Sequence, residues 1–527
     1  MAETMGQRRV LRGADDEGRM PAMFNEMSVS APAVRGAGAS ARPALRPVLW
    51  LSGVSAAFVA AQLLLVVPGS GLGWDETVYT SQVSRFMPAA FFSAPRARGI
   101  TFLAAPVAQL TYSTVVLRVW MALLSGVGLF AALWVWRSLL PVRVLAAAGG
   151  LFTTLWITVY YGPQVMPNLW GAYGVLMAVG CFLRAARDRS DRWALTGLAT
   201  GVIVIGLMRP LDAVWLVTPL AVLAVAVPRW RRPALLAVLA VGLMLGCALW
   251  VVEAYLHYGG LAARLQRGSE IQGGMGWHLA VDDQIRALDG RSLCRPCDVP
   301  WRHKIASAWW FALPVLSAVG LMVAARTGRA AIMGVPVLVA GCVAAPYLFL
   351  IDYAAPRFLL PAYALLALPV AQSLHWLVTA ARGPRLRPLA TVLVAVAVCG
   401  HLVVQYTVLR NTADNNRKTR AAFEAAAARL HVAGVRPPCV LSGDHAVPMA
   451  YYTRCASRQT AGPDASITPD GVQAAALTHA VAVLVPPGGR PPGYARSWRP
   501  LRLADTSAFR GYLAYLATPP PTNGAPR

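Results

Sequence analysis

The sequence predicts an all-α polytopic membrane protein of about eleven transmembrane helices, followed by a small external α/β domain, and three observations predict it. Of 527 residues, 57% are hydrophobic and 13% charged, against roughly 25% charged in soluble domains. About eleven apolar runs approach the ~20 helical residues that cross a bilayer, where hydrocarbon offers unpaired backbone groups no partner. Short loops on alternate sides of those runs differ sharply in cations, the asymmetry that sets orientation. A water-soluble multidomain protein is excluded. The net charge of +25, from 48 Lys and Arg against 23 Asp and Glu, would suit a nucleic-acid binder, but its location assigns it to topology instead.

Residues 1–44, rich in Gly, Ala, Arg and Met, carry no periodicity and read as a disordered cytoplasmic tail, within which Met20, Met23 and Met27 are alternative starts. The membrane domain is expected over 45–410, with spans near 48–67, 113–136, 144–161, 170–184, 194–208, 213–228, 234–255, 305–325, 331–351, 361–379 and 389–409. The fourth to sixth are short, and Pro163, Pro167, Pro210 and Pro219 predict broken or half-spanning helices there. Arg137 and Arg143, Arg184 to Arg192, Arg229 to Arg232, Arg326 and Arg329, and Arg382 to Arg387 fall on one side. That side reads as cytoplasmic, leaving the C-terminus outside. The first run follows a long polar tail and reads as a start-transfer anchor rather than a cleaved signal.

Three segments are expected outside: loops 68–112 and 256–304, and an α/β domain over 411–518 ahead of a Pro-rich tail at 519–527. In that domain 414–433 reads as an amphipathic helix, Cys439 to Ser442 and Ala480 to Val485 as buried strands, and 507–517 as a closing helix. Four cysteines lie outside, where oxidation favours disulfides. Local closure favours Cys294 with Cys297 and Cys439 with Cys455. His278 and His303 flank the first pair, so zinc is the alternative there.

Asp75, Glu76, Asp212, Glu253, Asp282, Asp283 and Asp352 gather at the outer ends of spans, with Arg98, Arg209 and Arg357 nearby. Such a ring suits an anionic head group, because Arg grips phosphate oxygens bidentately. Gly73-Trp74-Asp75-Glu76-Thr77-Val78-Tyr79 follows the first span, and Arg98-Gly99-Ile100-Thr101-Phe102-Leu103 precedes the second. Together with Pro356-Arg357-Phe358-Leu359-Leu360-Pro361, these segments resemble the GT-C class of membrane glycosyltransferases, in particular aminoarabinose transferases and protein O-mannosyltransferases. Asp75, Glu76 and Tyr79 match that class's Asp-Glu-x-x-Tyr pattern, Arg98 stands roughly where its Lys would be, and Arg357 matches the Arg of its Arg-Tyr-Leu-Leu-Pro element.

The resemblance implies transfer of a sugar from a polyprenyl phosphate to an acceptor hydroxyl at the outer face of the membrane. The excess of Ala, Arg, Gly and Pro reads as that of a GC-rich bacterium, which makes its plasma membrane the expected location and mannose and arabinose the natural donor sugars. Asp75 would be the general base, Arg357, Arg98 and Arg209 would hold the departing phosphate, and Tyr79 and Asp212 would line the substrate site. A divalent cation near the acid is a further possibility. The acceptor, whether glycan, lipid, protein or metabolite, stays open. Many relatives carry a second acid between the third and fourth spans, where this chain has Gln164 and Asn168, so any second carboxylate must come from Glu76, Asp212 or the Asp282-Asp283 pair. Plainer readings compete: solvated loop acids for Asp75 and Glu76, a helical ion pair for Arg209 and Asp212, an interfacial cation for Arg118, and interhelical bonding for His401 and Gln405. A lipid flippase is the rival function, against which stand the lack of a clear internal repeat and of a mid-membrane acid.

Overall fold

The computed structural model describes residues 45–517 apart from 299, 302, 381–384, 463, 504 and 507. The tails at 1–44 and 519–527, and Arg382, lie outside the described residues. In chain order the helices of the first part are α1 Leu45–Leu65, α2 Trp74–Ser81, α3 Gly99–Ala108, α4 Thr114–Trp134, α5 Val142–Thr154, α6 Trp156–Tyr161, α7 Pro167–Arg187, α8 Arg192–Met208 and α9 Pro210–Ala226. They continue as α10 Pro233–His257, α11 Leu261–Ile271, α12 Val281–Ala287, α13 Ala308–Arg326, α14 Ala330–Phe349, α15 Leu360–Ala380 and α16 Leu386–Val432. Every apolar run predicted from sequence falls on helix, and 8 helical stretches among the described residues are long and apolar enough to cross a bilayer. The chain is a multi-pass membrane protein.

Proline does not break the fourth run, whereas the fifth and sixth are the short helices α8 and α9, of 17 residues each. Pro167 and Pro210 occupy the first turns of α7 and α9, where a missing N–H was unsatisfied anyway. α7 then runs unbroken for 21 residues. The break falls in the third run, where Leu155 turns extended (ψ 130°) and separates α5 from α6. The side chain of Gln405 accepts the amide of Trp156 there at 2.8 Å, so irregular backbone inside the bundle stays satisfied.

α7 and α15 form the centre: 78% of their most apolar windows is buried, against 22% for α1 and 17% for α16. Small residues let α7 and α8 approach closely. A Cβ on Gly201 would stand 2.7 Å from the carbonyl oxygen of Gly174, the backbone proximity that membrane helices use for packing.

α16 continues for 47 residues, about 70 Å at 1.5 Å per residue, so the predicted last span and amphipathic helix are one element. Arg410-Asn411-Thr412-Ala413 contains no breaker, and Thr412 and Ala413 are buried. Beyond it stand β1 Cys439–Gly443, α17 Ala446–Thr453, β2 Ala456–Ser457, α18 Pro469–Thr478, β3 Ala480–Val485, β4 Arg499–Arg502 and β5 Leu513–Ala517. The strands form one mixed sheet in the order β2-β1-β3-β5-β4. Where a helix over 507–517 was expected, Leu513–Ala517 is a strand: β5 buries alternate residues and pairs antiparallel with the fully buried β3. Disulfides join Cys294 to Cys297 and Cys439 to Cys455.

This second region sits on the end of the bundle that carries α2 and α3. Tyr451 donates to the carbonyl of Tyr112 at 2.8 Å, and Gly71 N–H donates to Asn416 at 2.8 Å. Only glycine fits at 71, because a Cβ would meet the Tyr452 hydroxyl at 2.5 Å.

Candidate active site

The start of α2 is capped by Gly73, whose N–H donates to the Glu76 carboxylate at 3.1 Å. Two acids in its first turn complement the helix dipole. Consecutive residues point about 100° apart on a helix, and here that angle sends Asp75 and Glu76 into different surroundings.

Asp75 faces a cavity of ≈ 340 Å³ at the end of the bundle. Its Oδ1 accepts from Arg96 Nη2 at 2.9 Å and its Oδ2 from Arg357 Nη2 at 3.1 Å. Burial alone would push Asp75 up, but the charges of Arg96 and Arg357 hold it below its ordinary 3.8. Burial and the nearby Asp75 charge push the Tyr79 phenol, also on the cavity, up to about 12. Arg357 is set by the 3₁₀ turn Pro356–Leu359 leading into α15 and donates to the carbonyl of Ser292 at 2.6 Å. Arg96 is held by Ser93 Oγ and by Asp464 Oδ1, the latter at 2.9 Å. Asp464 comes from the loop between β2 and α18, and its Oδ2 accepts the Trp74 indole N–H at 2.8 Å.

Arg209 lines the same cavity and a neighbouring one of ≈ 140 Å³. It donates to Asp212 at 2.8 Å and to the Tyr347 hydroxyl at 2.5 Å. Arg96, Arg209, Arg295 and Arg357 against Asp75 and Asp464 leave the cavity wall net positive, as an anion site requires. Asn168, also on the wall, is 1% exposed, and neither of its amide atoms has a partner among the described residues.

Glu76 belongs elsewhere. It is 2% exposed, and Arg118, at 1%, pairs with both of its oxygens. The amide of Val165 donates to it at 2.8 Å, while Arg118 also reaches the carbonyls of Gly71 and Pro163. Arg118 is therefore no interfacial cation. With its lone pairs occupied in a closed pocket, Glu76 has no room for the catalytic task expected of it, and the pair locks α2 to α4. Arg98 also departs from expectation: it turns to Glu253, stacks its guanidinium on Phe92, and does not line the cavity. Arg96, two residues earlier, takes the place beside Asp75.

Asp212 lines the smaller cavity. Asp282 and Asp283 pair with Arg286 and His278 on α12 and its approach, away from both cavities. The expected carboxylate ring is thus dispersed, and of its members Asp75 is the one that lines the larger cavity, between two arginines. No group of three or more His, Cys, Asp or Glu able to hold a metal occurs among the described residues, and the disulfide occupies the sulfurs that zinc would need. Asp464 and Arg96 escaped the sequence reading. Arg96-Ala97-Arg98 offers two cations in a non-helical approach to α3, where spacing alone does not choose between them, and nothing around Gly462-Pro463-Asp464 marks it.

No protein-family model matches the sequence, and no curated protein matches it. Among solved structures, ArnT from Cupriavidus metallidurans bound to undecaprenyl phosphate matches with a TM-score of 0.64 and 11% identity, over 91% of this chain and 99% of that one. The same protein in its apo state gives 0.58 and 12%, over 92% and 100%. An oligosaccharyltransferase from Archaeoglobus fulgidus gives 0.49 and 12%, over 82% and 67%. The chain has the ArnT-like GT-C fold.

Proposed function

We propose that the chain is an inverting membrane glycosyltransferase that moves a sugar from a polyprenyl phosphate to an acceptor hydroxyl. The observation that carries this reading is the Asp75 carboxylate held between Arg96 and Arg357 in a net-positive cavity at the end of the bundle. The fold it occupies is one whose relative ArnT binds undecaprenyl phosphate.

In this mechanism the donor phosphate draws Arg357 and Arg96 away from Asp75, with Arg209 close enough to assist. Freed of its guanidinium partners, Asp75 takes the proton of the acceptor hydroxyl as that oxygen attacks the anomeric carbon, a role worth typically ~10²–10⁴-fold. The new C–O bond forms on the face opposite the breaking bond, so the configuration inverts. The bonding pair departs with the phosphate oxygen, whose growing charge the guanidinium groups stabilise. Asn168 offers a neutral donor and acceptor for sugar hydroxyls. Glu76 and Asp212 are not needed as a second base. Mannose and arabinose are the donor sugars to try first, the cation asymmetry of the loops supports an outer-face site, and a bacterial plasma membrane is the proposed location.

The test is turnover by the purified full chain of labelled polyprenyl-phosphate sugars carrying mannose or a pentose. Release of polyprenyl phosphate with an inverted product supports the reading. A chain that releases none from any such donor overturns it.

A further inference from the structure

The carboxy-terminal region contributes a charged side chain to the cavity from far along the chain: Asp464 lies 368 residues from Arg96. Its side chain is only 8% exposed and both its oxygens are engaged, one by Arg96 and the other by Trp74. Trp74 immediately precedes Asp75 on α2, and Arg96 is its guanidinium partner. Asp464 thus clamps the two elements that set the geometry of Asp75.

The loop that carries Asp464 is itself anchored at several points. Gln459 accepts from Gly443 N–H at 3.2 Å and donates to its carbonyl at 3.0 Å, where β1 ends. Ser466 N–H closes back on the carbonyl of Gln459 at 2.8 Å. Arg458 reaches across to the carbonyl of Ala89 at 3.1 Å. The sheet therefore holds the carboxylate, and the carboxylate holds the cavity wall.

Arg96 presents one guanidinium edge to Asp464 and another to Asp75. A guanidinium with a single carboxylate partner can chelate it with two parallel N–H groups along one edge, as bidentate pairs do. Such closure on Asp75 would occupy the lone pairs that must accept the acceptor's proton. We infer that Asp464 is a positioning residue of the transfer site, holding Arg96 by one edge so that Asp75 keeps an open face and Arg96 stays available to phosphate. The inference rests on the transferase reading above and makes the carboxy-terminal region a working part of the site.

The experiment is a double-mutant cycle in the full chain, using Asp464→Asn, Arg96→Gln and their combination, with the polyprenyl-phosphate sugar that wild type turns over. Asp464→Asn keeps the side chain's shape and removes its charge. Expected is a loss in kcat of about tenfold or more, in the range a small misplacement costs, with the donor KM within about twofold of wild type. In the Arg96→Gln background the same change should alter kcat by less than about twofold, because it has no guanidinium left to position. Wild-type kcat for Asp464→Asn, or an equal loss in both backgrounds, overturns the proposal.

A second measurement covers a variant that folds poorly and a wild type that turns over no such donor. In the latter case the transferase reading fails by itself. Hydrogen exchange then decides on Asp464. Faster exchange confined to 74–81 and 89–98 in Asp464→Asn, with β1 and β3 unchanged, upholds the positioning role. Unchanged exchange, or faster exchange throughout the carboxy-terminal region, overturns it.

Discussion

Asp75 and Glu76 are neighbours on one helix, both carboxylates beside arginine, and they live under opposite physical regimes. Glu76 is closed off with Arg118, each within 2% of full burial, and its hydrogen-bond capacity is filled by side chain and backbone. Asp75 keeps a third of its side-chain surface exposed and leans on two arginines that also face a cavity. A saturated buried pair is costly to disturb and does structural work. A partly open pair whose cations can exchange a carboxylate for a phosphate is suited to chemistry. Residue type and sequence position are nearly the same for the two acids, so the difference comes from where one helical step points each side chain.

Breaking the closed pair should have the largest effect. Glu76→Gln leaves Arg118 buried without its counter-charge, which costs roughly 3–5 kcal/mol. A steep fall in melting temperature and poor recovery of monodisperse protein are expected, and a variant as stable as wild type would refute the structural role. Arg357→Gln and Arg96→Gln should instead keep the fold and lower kcat by about 10²–10³-fold, the usual loss on removing one stabiliser of developing charge. Steady-state kinetics beside thermal melts check both halves.

The two arginines also make a prediction about pH. They hold Asp75 below its ordinary 3.8, so the base stays ionised above that point and activity is lost only as pH falls through the lowered value. The acid limb of kcat/KM in wild type should lie below the ordinary carboxylate range. Removing the charge of Arg96 should move it upward. A limb that stays put in Arg96→Gln would show that the pair does not set the base's ionisation.

The smallest effect should come from Arg98→Gln. That cation pairs with Glu253, which keeps Arg264 as a second partner, and it does not line the cavity. A change in kcat of less than about fivefold is expected, since no charge at the reacting atoms is removed. A loss equal to that of Arg96→Gln would restore Arg98 to the site and break the comparison.

Most of the bundle was legible because crossing a bilayer demands long apolar runs, which composition cannot conceal. The break at Leu155 was not, since no proline or glycine marks it and its freed amide is satisfied from α16, far away in sequence. The strand at Leu513–Ala517 was missed because its short apolar stretch is helical or extended according to its neighbour, and only β3 decides. At the site, Asp75, Tyr79 and Arg357 were visible as motifs. Arg118 was misread because its place near the start of a span suggests an interface, whereas its burial depends on Glu76 reaching it from another helix. Asp464 was invisible for the same kind of reason: its partners lie on elements that only the folded chain brings to it.

The role proposed for Asp75 is that of base in a transfer from polyprenyl phosphate. Its most direct test is single-turnover release of polyprenyl phosphate by Asp75→Asn, with labelled donor and acceptor at saturation, beside a melt of the same sample. That role predicts a stable protein that still binds donor but transfers about 10²–10⁴-fold more slowly than wild type. Wild-type release by folded Asp75→Asn would contradict it.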